Sequence, residues 1–248
     1  MARRSSQLRP ERTLRWEGCC NIRDLGGLPL EDGGATQFGV VVRADDMSLL
    51  SPEGWRAVAE YGVRRIVDLR HEHEPYEPPV ELVRVPLLDD DSIIEVDRLL
   101  LGVDDPSEWR RRNYLFFLDR FADRFGRAVS AVAAPTDGPV LVHCAGGVDR
   151  TGLIAALILR VAGVGVDAVA ADYAQSEASW APSVEEWIAA APDEEERRKR
   201  RILSVMPAQA MYDVVVEMDR EHGSAREYLL GAGVDAADLD RVRARLRG

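Results

Sequence analysis

One short stretch of the chain combines the residue types that phosphate chemistry needs. The stretch CAGGVDRT, residues 144–151, stands between the apolar runs PVLVH and GLIAALIL. Gly146 and Gly147 allow backbone angles, positive φ included, at which successive amide groups point to one centre and surround an anion. The start of the following helix adds positive potential there, and Arg150 can bind two oxygens of a phosphate at once. The spacing therefore predicts a phosphate site that runs from Ala145 to Arg150.

Cys144 lies at the base of this predicted site. The inward amides, the helix start and the arginine all favour its thiolate form, and a thiolate that faces a phosphate is a nucleophile for phosphorus. It would form a cysteinyl-phosphate that water later hydrolyses. Thr151 could then donate a hydrogen bond to the sulfur and help it leave. His143 is interpreted as orienting the loop, since a thiolate already in place needs no base.

Two alternatives apply to the same stretch. A single cysteine after a strand is usually a small buried hydrophobic residue, although the glycines and the arginine at this spacing favour the phosphate site. A nucleotide-binding P-loop also cradles phosphates, but GGVDRTG lacks the G-x-x-x-x-G-K-[ST] spacing and its lysine. The phosphate-ester interpretation is therefore preferred.

A proton donor near the ester oxygen must accompany such a nucleophile. Asp149 lies in the loop itself, and Asp89, Asp90 and Asp91 follow the apolar run LVRVPLL. The alternative for each of the latter three is a solvated acidic turn. We predict Asp149 as the general acid, with Asp89 as the next candidate.

The composition limits the partners. The chain has 248 residues and a formal net charge of -11, which argues against nucleic acid or an anionic membrane as the main partner. No apolar run reaches the ~18 residues of a membrane span, and the basic N-terminal stretch lacks the apolar run of a secretory signal. The three cysteines favour a reduced, cytoplasmic setting. No metal or cofactor is predicted, because His71 and His73 in HEHEPYE are more typical of an exposed polar loop.

Short apolar runs alternate with helical patterns through the middle of the chain. This alternation predicts an α/β fold with a mostly parallel sheet and helices packed on it. Residues 1–17 are predicted to form a loose basic arm, and residues 18–248 one domain. The predicted elements are strands at 37–45, 63–70, 82–88 and 139–144 and helices at 51–62, at 106–132 as one long helix, at 151–163 and throughout the region after 166.

The stretch HCAGGVDRTG resembles the signature of cysteine-dependent tyrosine and dual-specificity phosphatases. It is most similar to the bacterial branch whose signature reads H-C-x-x-G-K-D-R-T-G. The blocks NIRDLGGLPL, VVRADDMSLLSPEGWRAVAEYGVRRIVDLR and DYAQSE and the C-terminal HGSAREYLLGAGVDAADLDRVRARL resemble the same family in order. The resemblance implies the phosphatase fold, a parallel-rich sheet of four or five strands with helices on both sides. It also implies that Cys144 is the nucleophile, Arg150 the phosphate clamp and Asp149 a carboxylate important to catalysis.

Val148 departs from this pattern, because it stands where the family has a lysine. In that branch, and in phosphoinositide phosphatases with a similar loop, the lysine adds a second positive charge at the pocket. Its absence would remove a lysine–phosphate contact of roughly 1.5–3 kcal/mol. Val148 therefore favours a substrate with one phosphate on an apolar or aromatic group.

The resemblance leaves the substrate open. The first prediction is a phosphomonoesterase for phosphotyrosine-type protein substrates. The second is a phosphatase for a small-molecule metabolite or a natural-product intermediate. A binding module that kept only the cradle is a third alternative, and the presence of both Cys144 and Arg150 argues against it.

Several charged residues outside the loop have two interpretations each. Arg23 and Asp24 in NIRDLGG are predicted to line the substrate pocket, with a structural pair as the alternative. Arg43 and Arg70, each at a strand end, are predicted to have structural roles, with a contact to the substrate as the alternative. Residues 110–112 are three arginines for which a solvated helix face is predicted, with a place near the mouth of the site as the alternative.

Two further segments bear on access to the site. The resemblance implies a helical lid over residues 180–205, with a permanently packed helix pair as the alternative. Cys19 and Cys20 could protect Cys144 by forming a disulfide under oxidation, which depends on the distance between the sulfur atoms.

Overall fold

Five short strands form the sheet that supports the site. A computed structural model describes residues 11–71, 76–89, 95–96 and 102–248. The strands of that part are β1 (Arg23–Asp24), β2 (Val41–Ala44), β3 (Arg65–Asp68), β4 (Glu81–Arg84) and β5 (Val140–His143). Their order across the sheet is β1-β2-β5-β3-β4. Only β1, which was not predicted, runs antiparallel to its neighbour among these strands, so the predicted mostly parallel sheet is confirmed.

The register aligns the carboxyl ends of the three central strands. His143 in β5 pairs with Ala44 in β2 on one side and with Asp68 in β3 on the other. The segments that follow these three strands therefore leave the sheet at the same edge. Ligands of open parallel sheets bind at that edge, and Cys144 comes directly after β5.

Nine helices of the described chain pack around the sheet. They are α1 (Pro52–Tyr61), α2 (Pro106–Arg120), α3 (Ala122–Ala133), α4 (Asp149–Ala162), α5 (Val166–Ala189), α6 (Glu194–Ser204), α7 (Ala208–His222), α8 (Ala225–Gly231) and α9 (Ala236–Arg247). The predicted α/β fold with a helical C-terminal region is thus confirmed. Among the residues described, no helix is both long and apolar enough to cross a membrane.

Helix α1 shows how local sequence sets its ends. The Ser51 side chain accepts a hydrogen bond from the Gly54 amide, and Pro52 occupies the first turn. Gly62 ends the helix in the left-handed conformation, with φ of 86°. These are the ends that the sequence predicts.

The single long helix predicted over 106–132 is wrong, because the chain bends at Phe121. This residue has φ of -124° and ψ of 27°, outside the helical range, and separates α2 from α3. Helix α2 packs on α7, whereas α3 packs on β3 and β5. The bend lets one continuous apolar pattern serve two different partners, which the periodicity alone does not distinguish.

Side chains of the central strands alternate between two apolar clusters on the two faces of the sheet. The cluster on the α1 side contains Val42, Ala44, Ile66 and Leu141. The larger cluster, under α3, α4 and the C-terminal helices, contains Val41, Val67, Val140 and Val142. Both faces of β5 are therefore buried, which explains its continuous apolar sequence.

Candidate active site

The loop between β5 and α4 carries the predicted signature. Helix α4 begins at Asp149, two residues earlier than predicted. Asp149 and Arg150 therefore lie in the first turn, where unpaired amide groups and the helix dipole attract anions. Cys144 lies between the strand and the loop and is 2% exposed. The fold thus brings a buried cysteine to the positive end of a buried helix.

The carbonyl groups of the loop are held on its outer side. Three successive carbonyls accept hydrogen bonds from other parts of the fold. The bonds run from Asp46 N to Ala145 O at 3.1 Å, from Asn21 Nδ2 and Trp180 Nε1 to Gly146 O at 3.0 Å each, and from Arg43 Nη2 to Gly147 O at 2.7 Å. The described chain has no cis peptide bond, and in a trans peptide the N–H points opposite to the C=O. The amide groups of Gly146, Gly147 and Val148 therefore face the inner side of the loop, as an anion cradle requires.

The backbone requires glycine at position 147. Gly147 has φ of 64°, and a Cβ on it would lie 2.6 Å from the carbonyl oxygen of Ala44. An L side chain there would be strained and would collide with the end of β2. Gly146 does not share this conformation, and the nearest atom to its added Cβ would be Val148 Cγ2 at 3.7 Å. Of the two glycines that allow positive φ, the loop therefore uses this freedom at Gly147 and not at Gly146.

Arg150 and Thr151 lie at the far end of the loop. Nη1 of the half-buried Arg150 donates to the carbonyl oxygen of Leu69 at 3.3 Å, which ties this side chain to the segment after β3. The Thr151 hydroxyl is fully buried and lacks a hydrogen-bond partner within the described part of the chain. Buried hydroxyl groups rarely stay unpaired, so this one is available to a group bound at the site.

Asp149 is held by two donors. Its Oδ1 accepts from Arg110 Nη1 at 2.6 Å and from the Tyr114 hydroxyl at 2.5 Å. Burial raises the pKa of Tyr114 well above its usual value, so the phenol remains a donor. Arg110 also donates to the carbonyls of Leu203 and Val205, near the end of α6. The carboxylate is therefore fixed in place while 36% of its side chain stays exposed.

The buried position of Arg110 corrects one prediction. Its side chain is 1% exposed, whereas Arg111 and Arg112 pair with Glu108 near the surface. The predicted solvated face therefore holds for the latter two and is wrong for Arg110. The end of α6 covers it, and that contact between distant segments leaves no local sign in the sequence.

Asp89 lies in a different setting. Its Oδ2 accepts from Arg124 Nη2 at 2.7 Å, and its side chain is 48% exposed. Asp90 and Asp91 lie outside the described residues. Of the candidate acids, the structure places Asp149 in the first turn after the loop and Asp89 against α3.

An apolar chamber of about 620 Å³ opens beside the loop. Val148 and Asp149 lie on its loop side, and α5 and α6 supply much of its wall. The larger apolar side chains that line it are Val148, Trp180, Val184, Trp187, Leu203 and Met206. The segment 180–205 therefore lies against the loop, as both a lid and a permanently packed helix pair would, so the lid stays a prediction.

Comparison with known proteins agrees with this geometry. A family model described as the tyrosine phosphatase family matches residues 14–248. The chain belongs to the tyrosine phosphatase family. It is 26% identical to a tyrosine-protein phosphatase of Nostoc commune over 83% of this chain and 73% of that protein. It is 27% identical to a triple specificity protein phosphatase, PtpB, of Mycobacterium tuberculosis over 93% of this chain and 98% of that protein.

A third relative is a putative tyrosine-protein phosphatase of Cupriavidus necator. It is 28% identical over 66% of this chain and 62% of that protein. The family membership supports phosphatase activity for this chain and confirms the predicted family.

His143 supports the loop of this phosphatase from below. Its Nδ1 lies 3.3 Å from the carbonyl oxygen of Cys144 and its Nε2 lies 2.9 Å from the Tyr76 hydroxyl. With the proton on Nδ1, the ring donates to this carbonyl and accepts from Tyr76 through Nε2. Burial lowers the pKa of His143 to about 4. The ring is thus neutral near pH 7, in accord with an orienting role.

The lowered pKa of His143 predicts acid sensitivity of the fold. Between pH 6.5 and about 4 the unfolded chain protonates this histidine and the folded chain does not. The free energy of unfolding should therefore fall as the pH falls through this window, by on the order of 3 kcal/mol in total from this residue.

Denaturant titrations across this pH window measure the free energy of unfolding. His143→Asn should flatten this dependence, whereas His222→Asn, at an exposed histidine of α7, should retain it. Equal slopes in the wild type and His143→Asn would contradict the assignment.

Arg23 and Asp24 belong to buried hydrogen-bond networks. Arg23 Nε donates to Asp172 Oδ1 at 3.0 Å, and Asp24 accepts from the amides of Gly26 and Gly39. Neither side chain is among the described residues that line the chamber. Their partners favour the structural alternative, and a pocket role for them stays a prediction.

Cys19 and Cys20 are free thiols near the segment after β2. Cys19 Sγ donates to the carbonyl of Asp46, and Cys20 Sγ donates to Asp45 Oδ2. Burial raises the pKa of Cys19 above its usual range, and burial together with the Asp45 charge raises the pKa of Cys20 to about 12. Both thiols therefore stay protonated near pH 7, a form that reacts slowly with disulfides. Their protective role stays a prediction.

Of the two histidines in HEHEPYE, His71 is described and His73 lies outside the described residues. In the part of the chain that the structure describes, no three His, Cys, Asp or Glu side chains form a group suited to a metal ion.

Sequence reasoning missed the residues that hold the loop from outside. These are Asn21, Trp180, Tyr114 and, in its contact with the loop, Arg43. Each comes from an element more than thirty residues away from the loop position that it contacts. The one available signal was that two of them lie in NIRDLGG and VVRADD, blocks that resemble the family.

Proposed function

We propose that this protein hydrolyses phosphomonoesters through a cysteinyl-phosphate on Cys144. The observation that carries the proposal is the loop, whose carbonyls are bound on the outside and whose amides face inward above a buried cysteine. Arg150, in the first turn of α4, adds a bidentate cation for the phosphoryl oxygens. Inward amides, a helix N-terminus and an arginine are the groups that stabilise a phosphorane-like charge.

The reaction proceeds in two displacements at phosphorus. The Cys144 thiolate forms a bond to phosphorus while the bond to the ester oxygen breaks, and Asp149 gives its proton to the leaving oxygen. Water then attacks the phosphocysteine, and Asp149 takes a proton from that water. The S–P bond breaks as Thr151 donates its hydroxyl hydrogen bond to the departing sulfur. Inorganic phosphate leaves, and the thiolate and the protonated Asp149 are restored.

The position of Asp149 favours it over Asp89 as the acid. Asp149 lines the chamber beside the cradle, where an ester oxygen would lie. Its Oδ1 accepts from Arg110 and Tyr114, so Oδ2 is the oxygen that gives a proton to the leaving group. Asp89 contacts Arg124 of α3 instead.

Phosphotyrosine-type protein substrates are the first candidate, and the apolar lining of the chamber supports them. A phenyl ring carried by the phosphate would extend from the cradle into a space lined by two tryptophans, Val148 and Met206, and aromatic pairs stabilise one another beyond their buried area. Two of the curated relatives are named as tyrosine-protein phosphatases and one as a triple specificity protein phosphatase. The proposed partner is therefore a phosphorylated protein. Neither nucleic acid nor membrane insertion is part of the proposal.

A small-molecule phosphate monoester is the second candidate substrate. The covering helices and the chamber volume of about 620 Å³ would enclose the apolar part of a metabolite or natural-product intermediate. A cytoplasmic location is proposed for the protein with either candidate substrate.

Turnover on a substrate panel tests the proposal. The panel contains phosphotyrosine and phosphoserine peptides, phosphoinositides, and sugar and nucleotide monophosphates, each with a chelator and each beside Cys144→Ser. We expect turnover of phosphotyrosine peptides that the mutant lacks. Turnover of a small phosphate ester alone would favour the second candidate, and no turnover above the mutant on any substrate would overturn the proposal.

Replacement of Val148 tests its role in substrate choice. Val148→Lys places a cation beside the cradle and should raise kcat/KM for a phosphoinositide with several phosphates, relative to a phosphotyrosine peptide, by about tenfold or more. Val148→Met is the matched control, because it adds length without charge. The ratio of the two kcat/KM values is the measurement. A ratio that changes equally in both variants would show that size, not charge, decides at this position.

A further inference from the structure

Arg43 lies beneath the loop as a buried cation. It belongs to β2, where it pairs in register with Val142, and it is 1% exposed. Its Nη2 donates to the carbonyl oxygen of Gly147 at 2.7 Å, and its Nη1 donates to Asp172 Oδ2 at 2.7 Å. One guanidinium therefore connects the loop to α5.

Gly152, in the first turn of α4, lies against Tyr173 and Arg43. A Cβ on Gly152 would lie 3.2 Å from the ring of Tyr173, which is tighter than usual, and 3.5 Å from Arg43 Nη2, which is an ordinary contact distance. Position 152 therefore limits the packing of Tyr173 and does not decide the place of the guanidinium. This gives the last glycine of HCAGGVDRTG a packing role separate from that of Gly147.

The charge of Arg43 is only partly balanced. Three arginines, Arg12, Arg23 and Arg43, form ion pairs with the single carboxylate of Asp172. These four side chains carry three positive charges and one negative charge, and the buried carboxylate of Asp24, which also interacts with Arg12, adds a second negative charge. In a buried setting such an excess raises the electrostatic potential of its surroundings more than it would in water.

We propose that Arg43 is a positioning residue that holds and polarises the Gly147–Val148 peptide, so that its amide binds the phosphoryl group more strongly. This inference rests on the proposed function of the loop. A cation on the carbonyl oxygen draws electron density through the peptide and makes the opposite N–H a stronger donor. Arg43 thereby supplies from beneath the loop part of the positive potential that Val148, in place of lysine, does not supply. Because it acts through the peptide, it serves the phosphoryl group in the cradle and does not replace the lysine as a partner for a second phosphate.

Binding of tungstate, a phosphate mimic, separates this role from simple support of the fold. Arg43→Gln keeps a polar side chain without charge and should raise the inhibition constant of tungstate by about ten- to a hundredfold. Arg43→Lys keeps the charge and should lose much less. Asp172→Asn removes the partner carboxylate but leaves the cation, so tungstate should bind at least as tightly as in the wild type. Arg65→Gln is the matched control, since Arg65 is a buried arginine bound to carbonyls of 131, 134 and 135.

The outcomes distinguish the inference from the proposed function. Equal inhibition constants for Arg43→Gln and Arg43→Lys, or an equal loss in Asp172→Asn, would mean that Arg43 acts only by packing and would overturn the inference. Thermal unfolding of each variant shows how much stability is lost independently of tungstate binding. If wild-type protein neither binds tungstate nor hydrolyses any phosphate ester, the proposed function itself fails.

Discussion

Replacement of Cys144 by serine should lower kcat/KM for p-nitrophenyl phosphate by about ten-thousandfold or more. Serine differs from cysteine by one atom, yet its hydroxyl is far less acidic than a thiol and needs a base to become a nucleophile. The residue before it, His143, is buried and bound to Tyr76, and its ring is already used in holding the loop. Steady-state kinetics with a chelator present measures the loss.

The matched readout for Cys144→Ser is binding of tungstate. The cradle is built by amides and Arg150, so the mutant should retain tungstate affinity while it loses turnover. Turnover within tenfold of the wild type would contradict the role of Cys144. Loss of tungstate binding together with a changed melting temperature would indicate that the loop itself had changed.

Replacement of Asp149 by asparagine should slow an alkyl phosphate by about a hundred- to ten-thousandfold, and an aryl phosphate with a good leaving group much less. An alkoxide needs a proton to leave, whereas p-nitrophenoxide does not. Asparagine retains a carbonyl oxygen that can accept from Arg110 and Tyr114, so the packing changes little. The ratio of kcat/KM for the two substrates is the measurement.

Asp89→Asn is the control for this experiment. Asp89 contacts Arg124 on a different element, so its replacement should leave the ratio unchanged. If Asp149→Asn slows both substrates equally, Asp149 only holds Arg110 in place. If Asp89→Asn alone changes the ratio, the acid comes from the segment after β4.

The sequence predicts this loop well because its chemistry is local. Cys144, Gly147 and Arg150 lie within seven positions of one another, and the flanking apolar runs determine that a strand precedes them and a helix follows. Likewise Ser51 and Gly62 determine the ends of α1 by contacts within the helix. Alternation of strands and helices then suffices for the parallel sheet.

The parts that the sequence predicts poorly depend on contacts between distant segments. Arg110 looks like one of three solvated arginines, yet it lies under the end of α6, more than ninety residues later. The pattern over 106–132 is continuous, and the bend at Phe121 comes from the two packing partners of that segment. Local periodicity shows that a face is apolar but not which element covers it.

Val148 illustrates both what the sequence predicts and what depends on contacts between distant segments. The sequence identifies it as a departure from the family signature, and from that alone a loss of charge follows. The structure adds where its side chain lies, 5% exposed and beside the chamber, and shows Arg43 on the other side of the same peptide. Position 148 is therefore interpreted through two charges, the lysine charge that is absent and the Arg43 charge beneath the loop.

The phosphocysteine itself provides the most direct test of the central claim. Wild-type protein is mixed with p-nitrophenyl phosphate and a chelator, quenched within the first turnover, digested and analysed by mass spectrometry. We expect that the peptide with Cys144 carries one phosphoryl group, that this species decays as phosphate is released, and that Cys144→Ser does not form it. Turnover without any phosphorylated Cys144 peptide, or turnover that persists in Cys144→Ser, would contradict the account.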